Sequence, residues 1–196
     1  SEEKRYFPND SIQCLPDNGY TDLFNKIYDH KNIKIELSTD FQKSMLSGYC
    51  FCFNSMPIDE YYDFCFGHLP YRSVKFKHDI LDSDLSSGHV TINYSDSSIF
   101  TRETWWHNIA NHHVSDKNLY IRTVEEPCKY EDNDFERYYP VKTADDKYGK
   151  IYKKYKSLSE DNMDFIGRCG TYQYLDMHQV INQSMHSVKK WISNNV

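Results

Sequence analysis

The sequence predicts an α+β fold: a central antiparallel sheet flanked by helices, with α/β segments at both ends. Three patterns predict it. Between residue 71 and about residue 124, apolar and polar residues alternate with the period of half-buried strands. Turn-rich stretches at 82–88 and 94–98 divide that region into hairpin-sized pieces. Helical periodicity occupies the two ends of the chain instead.

The elements follow in order. Asp17 or Asn18 can cap a helix whose apolar face is Tyr20, Leu23, Phe24, Ile27 and Tyr28. Ile33, Ile35 and Leu37 alternate with polar residues, which predicts a half-buried strand. The run from Tyr49 to Phe53 predicts a buried strand, and Pro57 leads into a short helix over 58–64. The strands of the central sheet are marked by Val74 and Phe76, by Val90, Ile92 and Tyr94, and by Leu119 and Ile121. Thr143 and Asp146 suit the start of a helix with Tyr148, Ile151, Tyr152, Tyr155 and Leu158 on its buried stripe. A strand over 163–166 leads through Gly167-Arg168-Cys169-Gly170 to a last helix starting near Leu175. Its apolar face is Met177, Val180, Ile181, Met185, Val188 and Ile192. One domain over 1–196 is expected, with a sheet lobe of about 66–140 between segments 1–65 and 141–196.

Composition narrows the function classes. The net charge of −6 argues against nonspecific nucleic-acid binding, which needs a basic face. The basic run at Lys153, Lys154 and Lys156 reads as the solvated side of a helix. No stretch approaches the roughly 18 apolar residues of a membrane span, and no signal peptide opens the chain. The chain opens on Ser1 and not on methionine, which is compatible with removal of an upstream stretch. The six cysteines form no CxxC pair, so zinc-ribbon spacing is absent and free thiols in a reducing cytoplasm are expected. His107, His112 and His113 are close in sequence, but adjacent histidines point apart on a strand, and no metal site is expected.

Seventeen tyrosines and eleven phenylalanines are the unusual numbers. Either the core is built from tyrosine, or phenols line a site that takes phosphates and a base or sugar. Arginine stands beside aromatics in three places: Tyr71-Arg72, Phe100-Thr101-Arg102, and Arg168 ahead of Tyr172-Gln173-Tyr174. A guanidinium is a permanent charge with a planar donor fork matched to phosphate oxygens. Pairing with a surface carboxylate is the commoner use of such an arginine.

Several motifs together carry a resemblance. They are Leu15-Pro16-Asp17-Asn18-Gly19-Tyr20-Thr21, Pro57-Ile58-Asp59-Glu60-Tyr61-Tyr62-Asp63, and Phe66-Gly67-His68-Leu69-Pro70-Tyr71-Arg72-Ser73-Val74-Lys75-Phe76. Tyr138-Tyr139-Pro140-Val141 follows, then Gly167-Arg168 through Tyr172-Gln173-Tyr174-Leu175-Asp176-Met177-His178-Gln179-Val180-Ile181. In this order and spacing the chain resembles the C-terminal half of UDP-galactopyranose mutase, a flavoprotein isomerase.

The resemblance implies interconversion of UDP-galactopyranose and UDP-galactofuranose through reduced FAD, for polysaccharide biosynthesis. It implies that Arg72 and Arg102 hold the diphosphate as it leaves and returns. Tyr6, Tyr139 and Tyr174 would donate to phosphates or line the sugar pocket. Arg168 would lie against the flavin, and Asp176 near flavin and sugar. The α/β segments at both ends would then be remnants of a larger fold.

The seven glycines form no GxGxxG turn, and the helical lobe of the family is missing, as is a catalytic arginine expected just upstream of Arg5-Tyr6-Phe7. Cys14 and Met56 stand where the family usually has glycine, and Glu103-Thr104-Trp105-Trp106-His107 departs from the family's run after the arginine. FAD is therefore not expected to stay with this chain alone. A UDP-galactose-type nucleotide sugar, a companion chain with the FAD-binding domain and a homo-oligomer are the expected partners. The rival readings are a non-catalytic nucleotide-sugar or glycan-binding module and an oligomerising scaffold.

Overall fold

The computed structural model describes residues 9, 11–12, 14–109, 119–158 and 160–195. Tyr6, His112 and His113 lie outside the described residues. The order is α1 (Gly19–Tyr28), β1 (Cys52–Asn54), α2 (Ile58–Tyr61), β2 (Tyr71–Leu81), β3 (Thr91–Asn93), β4 (Arg102–Trp105) and β5 (Tyr120–Lys129). Then come β6 (Tyr139–Pro140), α3 (Lys147–Lys156), β7 (Met163–Phe165), α4 (Gly167–Gly170) and α5 (Met177–Asn195). The fold is α+β, as the alternation and helical periodicities predict.

Five strands make the central antiparallel sheet in the order β3-β4-β5-β2-β6. Its spine is the long β2–β5 pair, in register from Arg72 opposite Lys129 to Leu81 opposite Tyr120. A second, two-stranded sheet pairs β1 with β7 in parallel, Phe53 opposite Asp164. The chain thus keeps one parallel pair drawn from segments more than a hundred residues apart.

Tyrosine builds the core. Ile58, Leu69, Tyr71, Tyr130, Tyr155 and Tyr172 form one buried cluster, with Tyr148, Ile151 and Tyr152 of α3 packed against it. A buried phenol usually finds a partner, although the Tyr71 hydroxyl is buried here without one among the described residues. Tyr155 Oη donates to the Gly67 carbonyl (2.8 Å) and accepts from the Phe66 N–H (2.9 Å). Tyr172 Oη lies 2.9 Å from the carbonyl oxygens of both Pro70 and Val141. A smaller cluster of Leu46, Tyr61 and Met163 sits beside the parallel pair, where Tyr61 Oη donates to Glu160 (2.9 Å). Of the two uses of tyrosine expected from composition, the core use occurs.

Some local predictions hold and others do not. The basic run is the exposed side of α3, with Tyr155 turned inward at 0% exposure. Thr143 Oγ1 accepts the Lys147 N–H at the start of that helix (3.1 Å), helped by Asp145, while Asp146 adopts a left-handed backbone (φ 53°). The start of α1 differs: neither Asp17 nor Asn18 caps it through a side chain, and Gly19 takes φ 79° there. The alternation at Ile33, Ile35 and Leu37 forms no strand, because no strand lies beside it to supply hydrogen bonds; all three side chains are exposed. The run at Tyr49 to Phe53 shortens to Cys52–Asn54 and is only partly buried, with Tyr49 exposed.

The end helices have an amphipathic pattern whose apolar stripes are left exposed; α5 touches the rest of the chain through another side, by Gln183 and Trp191. Neither α1 nor α5 buries a single residue. Leu23, Phe24 and Ile27 on α1, and Ile181, Met185, Val188 and Ile192 on α5, are all exposed.

Candidate functional site

The geometry of the site follows from strand register. In a strand, successive side chains point to opposite faces, and directly paired residues share a face. Tyr71 turns into the core, so Arg72 turns to the other face of the sheet. Arg72 is in register with Tyr139 on β6 and with Lys129 on β5. Phe76, four residues along β2, shares that face and opens a cross-strand row that runs through Glu125 and Arg102 to Asn93. Five strands therefore bring both arginines, a lysine, a phenol and two further polar side chains to one face.

The two arginines sit differently. Arg102 is held: its Nε donates to Asn93 Oδ1 (3.0 Å), and its Nη1 lies 3.7 Å from Glu125 Oε1. Arg72 is exposed and has no ion-pair partner among the described residues. One guanidinium is thus oriented by the sheet, and the other is uncommitted.

The segment after β7 closes one side of this face. Gly167 starts α4 with φ 73°, a left-handed conformation that glycine takes without strain. That turn carries Arg168 to the aromatic residues at the end of the sheet. Its guanidinium lies over the Tyr174 ring (4.5 Å) and the Tyr138 ring (5.4 Å), and its Nη2 donates to the Tyr138 carbonyl (2.6 Å). Tyr174 stacks on Tyr139 with ring centroids 5.0 Å apart. Burial pushes the Tyr139 phenol above its usual range, and the nearby Arg102 charge pulls it back. Tyr139 is thereby electrostatically joined to the arginine row, and Tyr139, Tyr174 and Arg168 form one continuous stack beside it.

Asp176 has a different setting. Its carbonyl accepts from Val180 N–H (3.0 Å), and its own N–H donates to Gln179 Oε1 (2.8 Å). This is the reciprocal pattern of a helix N-terminus, and it starts α5. Among the described residues, no hydrogen bond joins its carboxylate to the stack.

Reading residues singly missed Tyr138, Phe76, Lys129, Glu125 and Asn93. Tyr138 and Phe76 lie inside motifs already singled out by their neighbours. Lys129, Glu125 and Asn93 carry no local signal, since only strand pairing sets them beside Arg72 and Arg102.

The arrangement can bind an anion with two or more phosphates. Two permanent charges on one sheet face, on β2 and β4 with β5 between them, suit an extended anion such as a diphosphate, and phenols add neutral donors. Glu125 lowers the net positive charge of the face while fixing the direction of Arg102.

Comparison with known proteins agrees with that chemistry. The family model for UDP-galactopyranose mutase matches residues 1–174. The chain belongs to the UDP-galactopyranose mutase family. It is 31% identical over 195 residues to a probable UDP-galactopyranose mutase of Klebsiella pneumoniae, covering 98% of this chain and 49% of that protein. It is 31% identical to a dTDP-fucopyranose mutase of Escherichia coli, over 94% of this chain and 50% of the relative. A UDP-galactopyranose mutase of Mycoplasma genitalium is 30% identical, over 98% and 51% respectively. The chain spans about half the length of the curated relatives it matches.

Mutase-family membership implies FAD, and the described residues contain no seat for its dinucleotide part. A dinucleotide seat needs a glycine-rich turn that passes from a parallel strand into a full helix. Here β1 leads through Met56 into the four-residue α2, and β7 leads into the four-residue α4. Met56 packs against the Leu46–Tyr61–Met163 cluster and lines a shallow depression of about 450 Å³ with Phe41, Lys43 and Tyr61. That depression shares no residue with the arginine face.

Among the described residues, no group of three or more His, Cys, Asp or Glu side chains could hold a metal. His107 lies between Trp105 and Tyr120, with Nε2 3.3 Å from Asp84 Oδ1. No helix among the described residues is long and apolar enough to cross a membrane.

Proposed function

We propose that this chain forms the substrate-side wall of a mutase site that recognises the diphosphate of a UDP-galactose-type nucleotide sugar. The observation that carries the reading is the convergence of Arg72, Arg102 and Tyr139 on one sheet face, flanked by the Arg168–Tyr174 stack. In the pyranose–furanose interconversion, reduced FAD supplies the chemistry at the anomeric carbon. This chain's residues hold the leaving group. Arg102, pre-oriented by Asn93 and Glu125, meets one phosphate without reorganising, and Arg72 neutralises the other. Tyr139 and Tyr174 offer phenol donors toward phosphate or sugar oxygens. Arg168 and Asp176 border the side where a flavin ring would approach.

Turnover needs a companion bearing the FAD-binding half, on the same polypeptide or another. The uncovered faces of α1 and α5 and the open edges of the β1–β7 pair support this. Purified alone the chain is expected to be colourless; near-stoichiometric flavin absorbance after gel filtration refutes that part.

Ligand-observed NMR with UDP and UDP-galactose tests the site. The expected dissociation constant is in the millimolar range, because part of the pocket is supplied elsewhere and each missing charge-assisted bond costs about 1.5–3 kcal/mol. Arg102→Ala is expected to abolish the signal. A wild-type chain that ignores millimolar UDP overturns the binding role and leaves the scaffold reading. Binding that survives Arg102→Ala overturns the residue assignment.

A further inference from the structure

We propose that Tyr138 is the positioning residue of this face, setting the geometry of Arg168, Tyr139 and Arg72 through its ring and its main chain. The proposal rests on the nucleotide-sugar reading above for its functional half. Its structural half stands on contacts that converge on this one half-buried residue.

The main chain of Tyr138 ties two arginines together. Its N–H donates to the Arg72 carbonyl (3.0 Å), which locks the segment leading into β6 onto β2. Its carbonyl accepts from Arg168 Nη2 (2.6 Å). With one corner of the guanidinium so engaged, the remaining N–H groups of Arg168 have a fixed direction.

The ring completes the arrangement. Arg168 lies between two rings, Tyr174 at 4.5 Å and Tyr138 at 5.4 Å, so the Tyr138 ring keeps the guanidinium from swinging off Tyr174. Tyr139 meets Tyr138 edge-on at 4.5 Å, and Phe76 meets it edge-on at 6.3 Å. Edge-to-face contact defines ring orientation as well as distance. The plane of Tyr139, and through stacking that of Tyr174, is therefore set by Tyr138. The hydroxyl of Tyr138 takes no part in these contacts. What matters is an aromatic ring at this position, a requirement that separates positioning from hydrogen bonding to a ligand.

The test uses Tyr138→Phe and Tyr138→Leu in the 196-residue chain. The first keeps the ring and the second keeps only bulk; both keep the main-chain bonds. Two readouts apply: the side-chain NMR resonances of Arg168, displaced by ring currents, and the UDP dissociation constant from a shift titration. Wild type is expected to show Arg168 Cδ and Nε protons well away from random-coil positions. Tyr138→Phe is expected to preserve both readouts. Tyr138→Leu is expected to move the Arg168 resonances toward random coil and to weaken UDP about tenfold, from the loss of one cation–π and one aromatic contact. Thermal unfolding confirms that the variants are folded.

Random-coil Arg168 shifts in wild type overturn the proposal without recourse to any variant. So does Tyr138→Leu with both readouts unchanged. Displaced Arg168 shifts that respond to Tyr138→Leu, in a chain that ignores UDP, support the positioning geometry and overturn the nucleotide reading instead.

Discussion

Arg122 lies on the sheet face opposite the candidate site, in no motif of the family, so Arg122→Ala separates folding from binding. Glu103 is buried at 5% exposure and accepts from Tyr94 Oη (2.8 Å), Trp105 Nε1 (2.9 Å) and Arg122 Nη1 (3.5 Å). Arg122 also donates to Asp79 through Nη2 (2.7 Å) and Nε (3.2 Å), and its guanidinium lies 5.7 Å over the Trp105 ring. Removing one member of a buried pair typically costs about 3–5 kcal/mol, because the other charge stays behind. Here the contact to Glu103 is long, two neutral donors remain, and the Asp79 side is exposed and adds little. About 2–3 kcal/mol is therefore expected for Arg122→Ala. With a urea slope of about 1–3 kcal/mol/M, the midpoint should fall by roughly 1–2 M, followed by tryptophan fluorescence. Glu103→Gln in the Arg122→Ala background removes the stranded charge and should recover part of the loss. UDP binding by the folded fraction should be unchanged. A single-variant loss below about 0.5 kcal/mol, the range of ordinary surface changes, refutes the buried-charge reasoning.

Two more outcomes follow from the same structure. Burial raises the phenols of Tyr61, Tyr71 and Tyr172 above their ordinary range, so these groups release protons later when folded than when unfolded. Their contribution to stability is complete below about pH 10 and is lost as pH rises beyond it, at up to about 1.4 kcal/mol per pH unit for each lagging phenol; a urea midpoint that is the same at pH 8 and pH 11 contradicts this. The exposed stripes of α1 and α5 predict that the chain alone associates. Ile181→Glu with Met185→Glu should shift light scattering toward the monomer, and a wild-type chain already monomeric at high concentration removes the argument.

Much of the fold could be read from periodicity, because Val74 on β2 and the helical spacing at Tyr148 to Tyr155 reflect burial that does occur, although Phe76 of the same alternation stays exposed. Ile33, Ile35 and Leu37 show the limit: alternation states a readiness to pair, and pairing needs a neighbour that this chain does not place there. The site was legible as residue types and motifs. That Arg72 faces Tyr139, and that Arg102 is gripped by Glu125 and Asn93, depends on register between strands far apart in sequence. Asp176 illustrates a different confusion. At this helix start Gln179 accepts the Asp176 N–H, one half of a capping box, which accounts for Gln179 on local grounds and leaves the Asp176 carboxylate to another role.

The chain divides into a part whose apolar groups are covered and a part whose apolar faces are not. β2, β5, β6 and α3 enclose the tyrosine cluster, and the buried hydroxyls of Tyr155 and Tyr172 have protein partners. By contrast α1, α5 and the parallel pair present apolar faces and open edges, the condition of elements built to be covered. The residues proposed to hold the diphosphate belong mostly to the first part: Arg72 and Arg102 sit on the central sheet, and Tyr139 is on β6 against it. Arg168, although it follows the parallel pair, is anchored to that sheet through Tyr138. The apolar stripes of α1 and α5 are exposed and not packed against this wall, although Gln183 on another side of α5 accepts the Gly167 N–H (2.8 Å) at the turn that carries Arg168. Blocking or charging the α5 stripe should alter association while leaving UDP affinity within about twofold, less than the tenfold that 1.4 kcal/mol would bring. Loss of UDP binding in a folded Ile181→Glu, Met185→Glu chain would mean that the face is shaped through α5 after all, and that the two parts are one.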